Sequence, residues 1–334
     1  MCSLGLLQTL AATRVPHVRI AWVALIALLW SVALEGCAGA SPTREMSSYV
    51  AQRNREIRAL LASPTASDFA TAAMLAASSI RPRPTLALET AAKAVALAPK
   101  AADLAWLQLR ICEQLRCRSA ARLRERFAAL APDNGLARED ALVAAEAADS
   151  PASVIAALQQ IASAGHMTVY WTRLEVRIDD AFKRTRPSQD VVNRFGQGIG
   201  VVAAFDIPPL QPFARACNDR EISLSGRRAA CQAVMTRLEH SDTVIMPRTA
   251  LEIEAWWWPA GSPQARALAE RRREPDYLLL ESSRVRFWSM RRDAALRIRA
   301  ARHAASEQAV ERAVLAAHHL PATPPPEWKD PWIS

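Results

Sequence analysis

Between Asp68 and His166 a short apolar phrase returns at a constant interval: Ala94-Val-Ala-Leu-Ala-Pro-Lys100, Phe127-Ala-Ala-Leu-Ala-Pro-Asp133 and Gln160-Ile-Ala-Ser-Ala-Gly-His166. The starts lie 33 residues apart, and each unit reads as a helical run, a break, a second helical run and a Pro or Gly stop. Such a hairpin cannot bury its apolar stripe alone, so three of them are expected to stack over a continuous core. Register then places Leu97 and Leu130 at equivalent buried positions. On either side the apolar spacing also stays helical. A polar amphipathic helix is expected over Arg44–Leu61, one over Thr168–Thr185 with Trp171, Leu174, Ile178 and Phe182 on one face, and one from Ser188 to Phe205. Further helices are expected over Ser225–His240 and Asp242–Trp257. Ser150-Pro151 and Ser262-Pro263 read as starts, with serine capping and proline in the first turn. A long run from Tyr277 to about His318, interrupted near Ser289, precedes a proline-rich tail that reads as extended or disordered.

The alanine-rich second helices with terminal Pro99 and Pro132, and the aromatic Trp106 in a first helix, resemble tetratricopeptide repeats. That resemblance implies an all-α fold of antiparallel hairpins stacked as a short α-solenoid, which usually serves as a binding scaffold. The expected organisation is residues 1–40 as an export signal, 41–67 as a cap helix, 68–166 as three repeats, 167–320 as a C-terminal helical region and 321–334 as the tail.

The export reading rests on the first 40 residues. Arg14, His17 and Arg19 flank an apolar run, Ile20–Leu34, of 15 residues, short for a membrane span and suited to a signal core. Leu34-Glu-Gly-Cys37 resembles a bacterial lipobox, although Glu35 replaces a small or apolar residue. The resemblance implies a lipidated Cys37 and, with Ala38 following, an outer-membrane lipoprotein facing the periplasm. Two alternatives stay open: cleavage after Ala40, releasing a periplasmic protein, and an uncleaved inner-membrane anchor.

Cysteine usage agrees with export. Beyond Cys2 and Cys37 there remain Cys112, Cys117, Cys217 and Cys231, an even number. Of three connectivities the local one, Cys112–Cys117 with Cys217–Cys231, is the most economical. Cys112 and Cys117 cannot bridge within an unbroken helix, so the pairing also requires a helix to end between them. Neither pair has zinc-ligand spacing, and no metal or cofactor is expected.

The net charge of +9 carries little about a partner, because arginine dominates over only four lysines (Lys93, Lys100, Lys183, Lys329), a bias that with the alanine content is compositional. Nucleic acid is therefore not expected. Two features could bind something else. Trp256-Trp257-Trp258 set three large aromatics in sequence, facing different ways on a helix. An arginine stripe, Arg284, Arg286, Arg291, Arg292, Arg297, Arg299 and Arg302, could meet anionic lipid, lipopolysaccharide or an acidic partner. Each has a structural alternative, a buried helix end and a solvated face.

Catalytic signatures are weak. Phe195-Gly-Gln-Gly-Ile-Gly200 lacks the preceding strand and Gly-Lys ending of a phosphate loop, and helical periodicity runs through it. Consecutive Asp179 and Asp180 diverge on a helix and read as a solvated face. The expected role is non-catalytic binding or scaffolding in the cell envelope; the alternative is a cell-wall hydrolase using a buried glutamate, with Glu175 and Glu252 as candidates.

Overall fold

The computed structural model describes residues 42–79, 81–205, 210–218, 221–223, 226–288 and 290–330. The expected export segment, with Cys37, lies outside them. The chain divides into two units, residues 1–52 and 53–334. Among the described residues there are fifteen α-helices and no strand, beyond an isolated parallel bridge between Asn134 and His166. The all-α expectation therefore holds.

The helices run α1 (Pro42–Leu61), α2 (Ala66–Ala77), α3 (Pro84–Leu97), α4 (Ala102–Gln114), α5 (Ala120–Leu130), α6 (Glu139–Ala147), α7 (Pro151–Ala162) and α8 (Trp171–Thr185). They continue as α9 (Val191–Ala203), α10 (Gln211–Ala216), α11 (Arg227–Glu239), α12 (Ile245–Ala255), α13 (Pro263–Trp288), α14 (Met290–Ala301) and α15 (Glu307–Ala317). Helices α2 and α3, α4 and α5, and α6 and α7 pack as successive pairs. The serine starts behave as expected: Ser150 Oγ accepts from Ser153 N–H, and Ser262 Oγ accepts from Ala265 N–H at 3.1 Å.

The 33-residue period has a backbone counterpart. Arg116 (φ 53°) and Asp149 (φ 49°) both take the left-handed conformation just past α4 and α6. Behind each, the chain closes a Schellman motif, with Cys117 N–H donating to Cys112 C=O at 2.8 Å and Ser150 N–H to Ala145 C=O at 3.3 Å. A chain this poor in glycine places ordinary residues in these turns, at roughly 1 kcal/mol or more each. In the first of them the 6→1 pair is also the disulfide pair. Cys112 and Cys117 are bridged with Cα atoms 5.0 Å apart, because α4 ends between them. Cys217 and Cys231 are bridged with a Cα separation of 5.6 Å, tying the end of α10 to α11. Loop closure gives the two bridges about 2 and 3 kcal/mol.

The repeat phrases are buried on a face other than the one expected. Leu97 is 53% exposed and Leu130 only partly covered, whereas Ala94, Val95, Phe127 and Ile161 are buried. The phrase is thus buried by its opening residues; Leu97 lies at the end of α3 turned outward, while Leu130 at the end of α5 packs half-buried against the core. Phe127 packs at a tilt against Trp106 (centroids 5.2 Å apart) and meets Tyr170 edge-on at 6.2 Å, joining α4, α5 and the α7–α8 connection. Gly135 allows that connection to approach: a Cβ there would lie 3.1 Å from Ile161 O and 3.2 Å from Met167 Cγ.

Helix α8 does not extend the array. It returns to the first helices, packing on α2, with Arg184 Nη2 2.8 Å from Asp68 Oδ1 and Arg177 paired with Asp103 of α4. The expected Trp171, Leu174, Ile178 and Phe182 face is buried. The glycine run is helical in α9, and only Gly198 approaches a neighbour, with Ile178 Cγ2 3.5 Å from a built Cβ. Helix α13 runs through Pro275, where two helices were expected. The tail is bent and fastened, not extended: Trp328 N–H closes a turn on Pro325 C=O at 3.0 Å, Tyr277 Oη donates to Pro321 C=O at 3.0 Å, and Trp328 meets the Tyr277 ring edge-on at 5.4 Å.

These burial differences predict that Phe127→Ala lowers unfolding free energy by about 3–5 kcal/mol, while Leu97→Ala stays within about 0.5 kcal/mol of the parent. Denaturant titration of both variants checks this, and comparable losses would invalidate the assigned helix phases.

Candidate functional site

The least conventional chemistry inside the protein is a group of buried carboxyls around one guanidinium. Arg297 of α14 is 1% exposed and ion-paired with Glu311 of α15, itself 1% exposed. Its guanidinium lies 5.3 Å from the Phe195 ring of α9. Burial lowers the Arg297 pKa, but the neighbouring Glu311 and Glu175 carboxylates outweigh that and hold it above its usual value. Glu307, one turn before Glu311, is pushed up to about 8, first by burial and then by the Glu311 charge. One cation among several acids cannot neutralise them all, and this holds Glu307 above the usual carboxylate range.

Glu307 also joins this centre to a junction at the loop 241–244. Its Oε2 accepts from Val244 N–H at 2.9 Å, and its own N–H donates to Asp242 C=O at 2.7 Å. The Asp242 carboxylate accepts from Val169 N–H at 2.8 Å and Trp171 N–H at 3.3 Å, capping α8 from the loop between α11 and α12. Burial raises Asp242 to about 6 despite these donors. Tyr170, which precedes α8, sits at φ 63° and makes no side-chain cap.

A second acidic place lies between α4, α5 and α6. Glu113 accepts from Arg124 Nε at 3.0 Å and pairs with Arg110, and Asp140 lies 2.7 Å from Arg124 Nε. Glu139 lines the same recess with Trp106, Phe127 and Leu136, and burial lifts its carboxyl to about 8. The recess encloses about 10 Å³, room for one water and no substrate.

The residues singled out in the sequence separate. Trp257 is buried, its Nε1–H donating to Cys217 C=O at 2.7 Å, and Trp256 and Trp258 pack against the main core. Arg228 stacks over Trp258 at 4.9 Å. The tryptophans thus close a helix end over the second disulfide. The arginine stripe divides: Arg297 is interior, Arg302 holds Asp179 and Asp180, and Arg284, Arg292 and Arg299 are exposed, with Arg284 paired to Glu281. The side chains of Arg286 and Arg291 are outside the described set. Asp179 is buried between Lys183, Arg194 and Arg302, which corrects the solvated-face reading. Glu175 is buried beside Arg297, while Glu252 on α12 is half-buried near Arg272.

Glu307, Glu311 and Asp242 escaped the sequence reading. The available signal was weak: Glu307 and Glu311 share a helical face with Val310, Val314 and Leu315. Compared with family models, curated proteins and solved structures, the chain matches none.

For a carboxyl whose folded pKa is raised, the stabilising proton is fully held below its unfolded value and lost as pH rises through the folded one. Glu307 spans about 4.5 to 8 and Asp242 about 3.8 to 6. Thermal stability is therefore expected to fall between pH 5 and pH 8.5. Glu307→Gln, which preserves an acceptor for Val244 N–H, should flatten that fall; an unchanged profile would show that Glu307 carries no extra proton.

Proposed function

We propose that this chain is a non-catalytic binding or scaffolding protein of a bacterial cell envelope, exported and held to the outer membrane by a lipid on Cys37. The observation that carries the reading is the pair of local disulfides, Cys112–Cys117 and Cys217–Cys231. Such bridges persist in oxidising compartments. No described helix is long and apolar enough to cross a membrane, so attachment in this reading falls to the N-terminal segment.

The scaffold in this reading is a short tetratricopeptide-like stack. The 33-residue spacing of the left-handed turns at Arg116 and Asp149 supports it. Its first-helix side is already taken up by α8 through the Asp68 and Asp103 pairs, so the proposed outside contact is the exposed arginine set, Arg284, Arg292 and Arg299, toward anionic lipid such as lipopolysaccharide. Glu139 is what favours the hydrolase alternative, by its raised pKa, and its one-water recess would have to open for a substrate.

Cys37→Ala is expected to move the protein from the membrane fraction to the soluble periplasm, and mass spectrometry of the mature N-terminus should find a lipidated Cys37. A free Ser41 terminus would overturn the anchor. On the Cys37→Ala background, Arg292→Glu with Arg299→Glu should leave the melting temperature within a few degrees. The same pair should weaken binding to anionic vesicles, with any residual binding fading as salt rises. Unchanged vesicle binding would remove the arginines from the reading.

A further inference from the structure

Helix α15 is complete before the proline-rich tail begins. His319 (φ 58°) takes the left-handed position after the helix, and Leu320 N–H donates to Leu315 C=O at 2.9 Å, which closes a Schellman turn. Leu320 then packs on the cluster of Tyr277, Leu278, Val314 and Leu315. Beyond it, among the described residues, no backbone hydrogen bond is shared between residues 321–329 and the helices. The tail can therefore leave without breaking a helix.

Two side chains one turn apart on α13 hold it. Tyr277 Oη donates to Pro321 C=O at 3.0 Å, and the Tyr277 ring meets Trp328 edge-on at 5.4 Å. Arg273 Nη2 lies 3.0, 3.3 and 3.2 Å from the carbonyl oxygens of Pro325, Pro326 and Trp328, while Glu270 Oε1 accepts from Arg273 Nη1 at 2.8 Å and orients the guanidinium. These contacts read main-chain carbonyls, which any peptide carries, and one aromatic ring. The segment is shaped for them beforehand. Trp328 N–H donates to Pro325 C=O at 3.0 Å, so residues 325–328 form a turn with Pro326 at its second position, where the fixed φ of proline is favoured. That turn brings three carbonyls toward one guanidinium, and a segment already near its bound shape loses little freedom on docking. Pro326, Glu327 and Lys329 stay exposed while Trp328 is half-buried, so recognition falls on the proline turn and the tryptophan.

We propose that the Arg273 and Tyr277 face of α13 is a peptide-docking site, and that residues 321–330 occupy it in cis as a built-in competitor. Its outside partner is a segment of another protein carrying the Pro-Pro-Pro-x-Trp pattern of residues 324–328, which displaces the tail and takes over the same carbonyl and ring contacts. An attached tail competes at an effective concentration of about millimolar, so the site stays shut until the tail's anchor is weakened or a better-anchored segment arrives. This inference goes beyond the lipid anchor and the arginine contact and rests on neither.

Hydrogen exchange of the purified full chain, corrected for intrinsic rates, tests whether the tail opens by itself. The Trp328 amide should be about a hundredfold or more less protected than the interior amides of α13. Equal protection would make the tail part of the core and overturns the proposal. Fluorescence anisotropy with a labelled peptide of residues 320–330 tests the site. Trp328→Ala, which loses its own anchor, should bind the peptide about tenfold or more tighter than the parent does. That gain should be lost when Arg273→Ala is added, or when the tryptophan of the peptide is replaced by alanine. Equal binding by the parent and Trp328→Ala, indifference to Arg273 or to the peptide's tryptophan, no binding, or a Trp328→Ala chain that does not fold would each overturn it. Light scattering covers the remaining occupant: a dimer of the parent that disappears in Trp328→Ala would seat a second copy's tail in the site and overturns the assignment to another protein.

Discussion

Much of the C-terminal half depends on the carboxylate of Asp242. The start of α8 has no cap of its own, since Tyr170 is left-handed and offers none. Its orphan N–H groups are satisfied by an aspartate 71 residues further along the chain. The backbone carbonyl of the same residue receives the N–H that opens α15, and Gln308 Nε2 reaches the carbonyls of Ser241 and Thr243 at 3.1 and 3.2 Å. The loop 241–244 thus sets the entry of α8, α12 and α15 together. Leaving those groups unpaired in the interior would cost about 1–3 kcal/mol each, so the loop has little freedom to move.

Charge is the second constraint, and arginine carries it. Asp68, Asp103, Asp179, Asp276 and Glu311 are all nearly or fully buried, and each has at least one guanidinium against it. Burying a lone carboxylate is costly, and a paired one is tolerable when its other lone pairs are also engaged. Arginine suits the task because it remains charged when desolvated and brings several donors in one plane. The overall positive charge is therefore partly an interior matter. Only the fraction left on the surface, such as Arg292 and Arg299, is available to an outside anion.

Helix α8 ties the early helices to the later ones. It packs on α2 and pairs with Asp103 of α4, so the protein's own chain covers that side of the early hairpins. Its buried carboxyl Glu175 then meets Arg297 of α14, so the segment that closes the repeats also anchors the C-terminal helices. Glu307 and Asp242, two of the acids with raised pKa values, lie where these two sets of helices are joined.

Sequence alone determined what depends on neighbours in the chain. The helical class followed from apolar spacing, Ser150 and Ser262 were readable as caps, and the local pairing of Cys112 with Cys117, the most economical of three, required α4 to end between them. The phase of the repeat helices was not legible, because in alanine-rich segments small residues cover every face and periodicity does not say which is inward; hence Leu97 is exposed while Ala94 is buried. The fate of the charged residues was equally closed to sequence reading. Arg292 and Arg297 are five positions apart on one helix, yet the first is exposed and the second fully buried, since only the partner brought up by α15 makes burial affordable. The cap on α8, the closure of the repeats and the fastening of the tail were decided by tertiary contacts between residues far apart in the chain, where local pattern carries no signal.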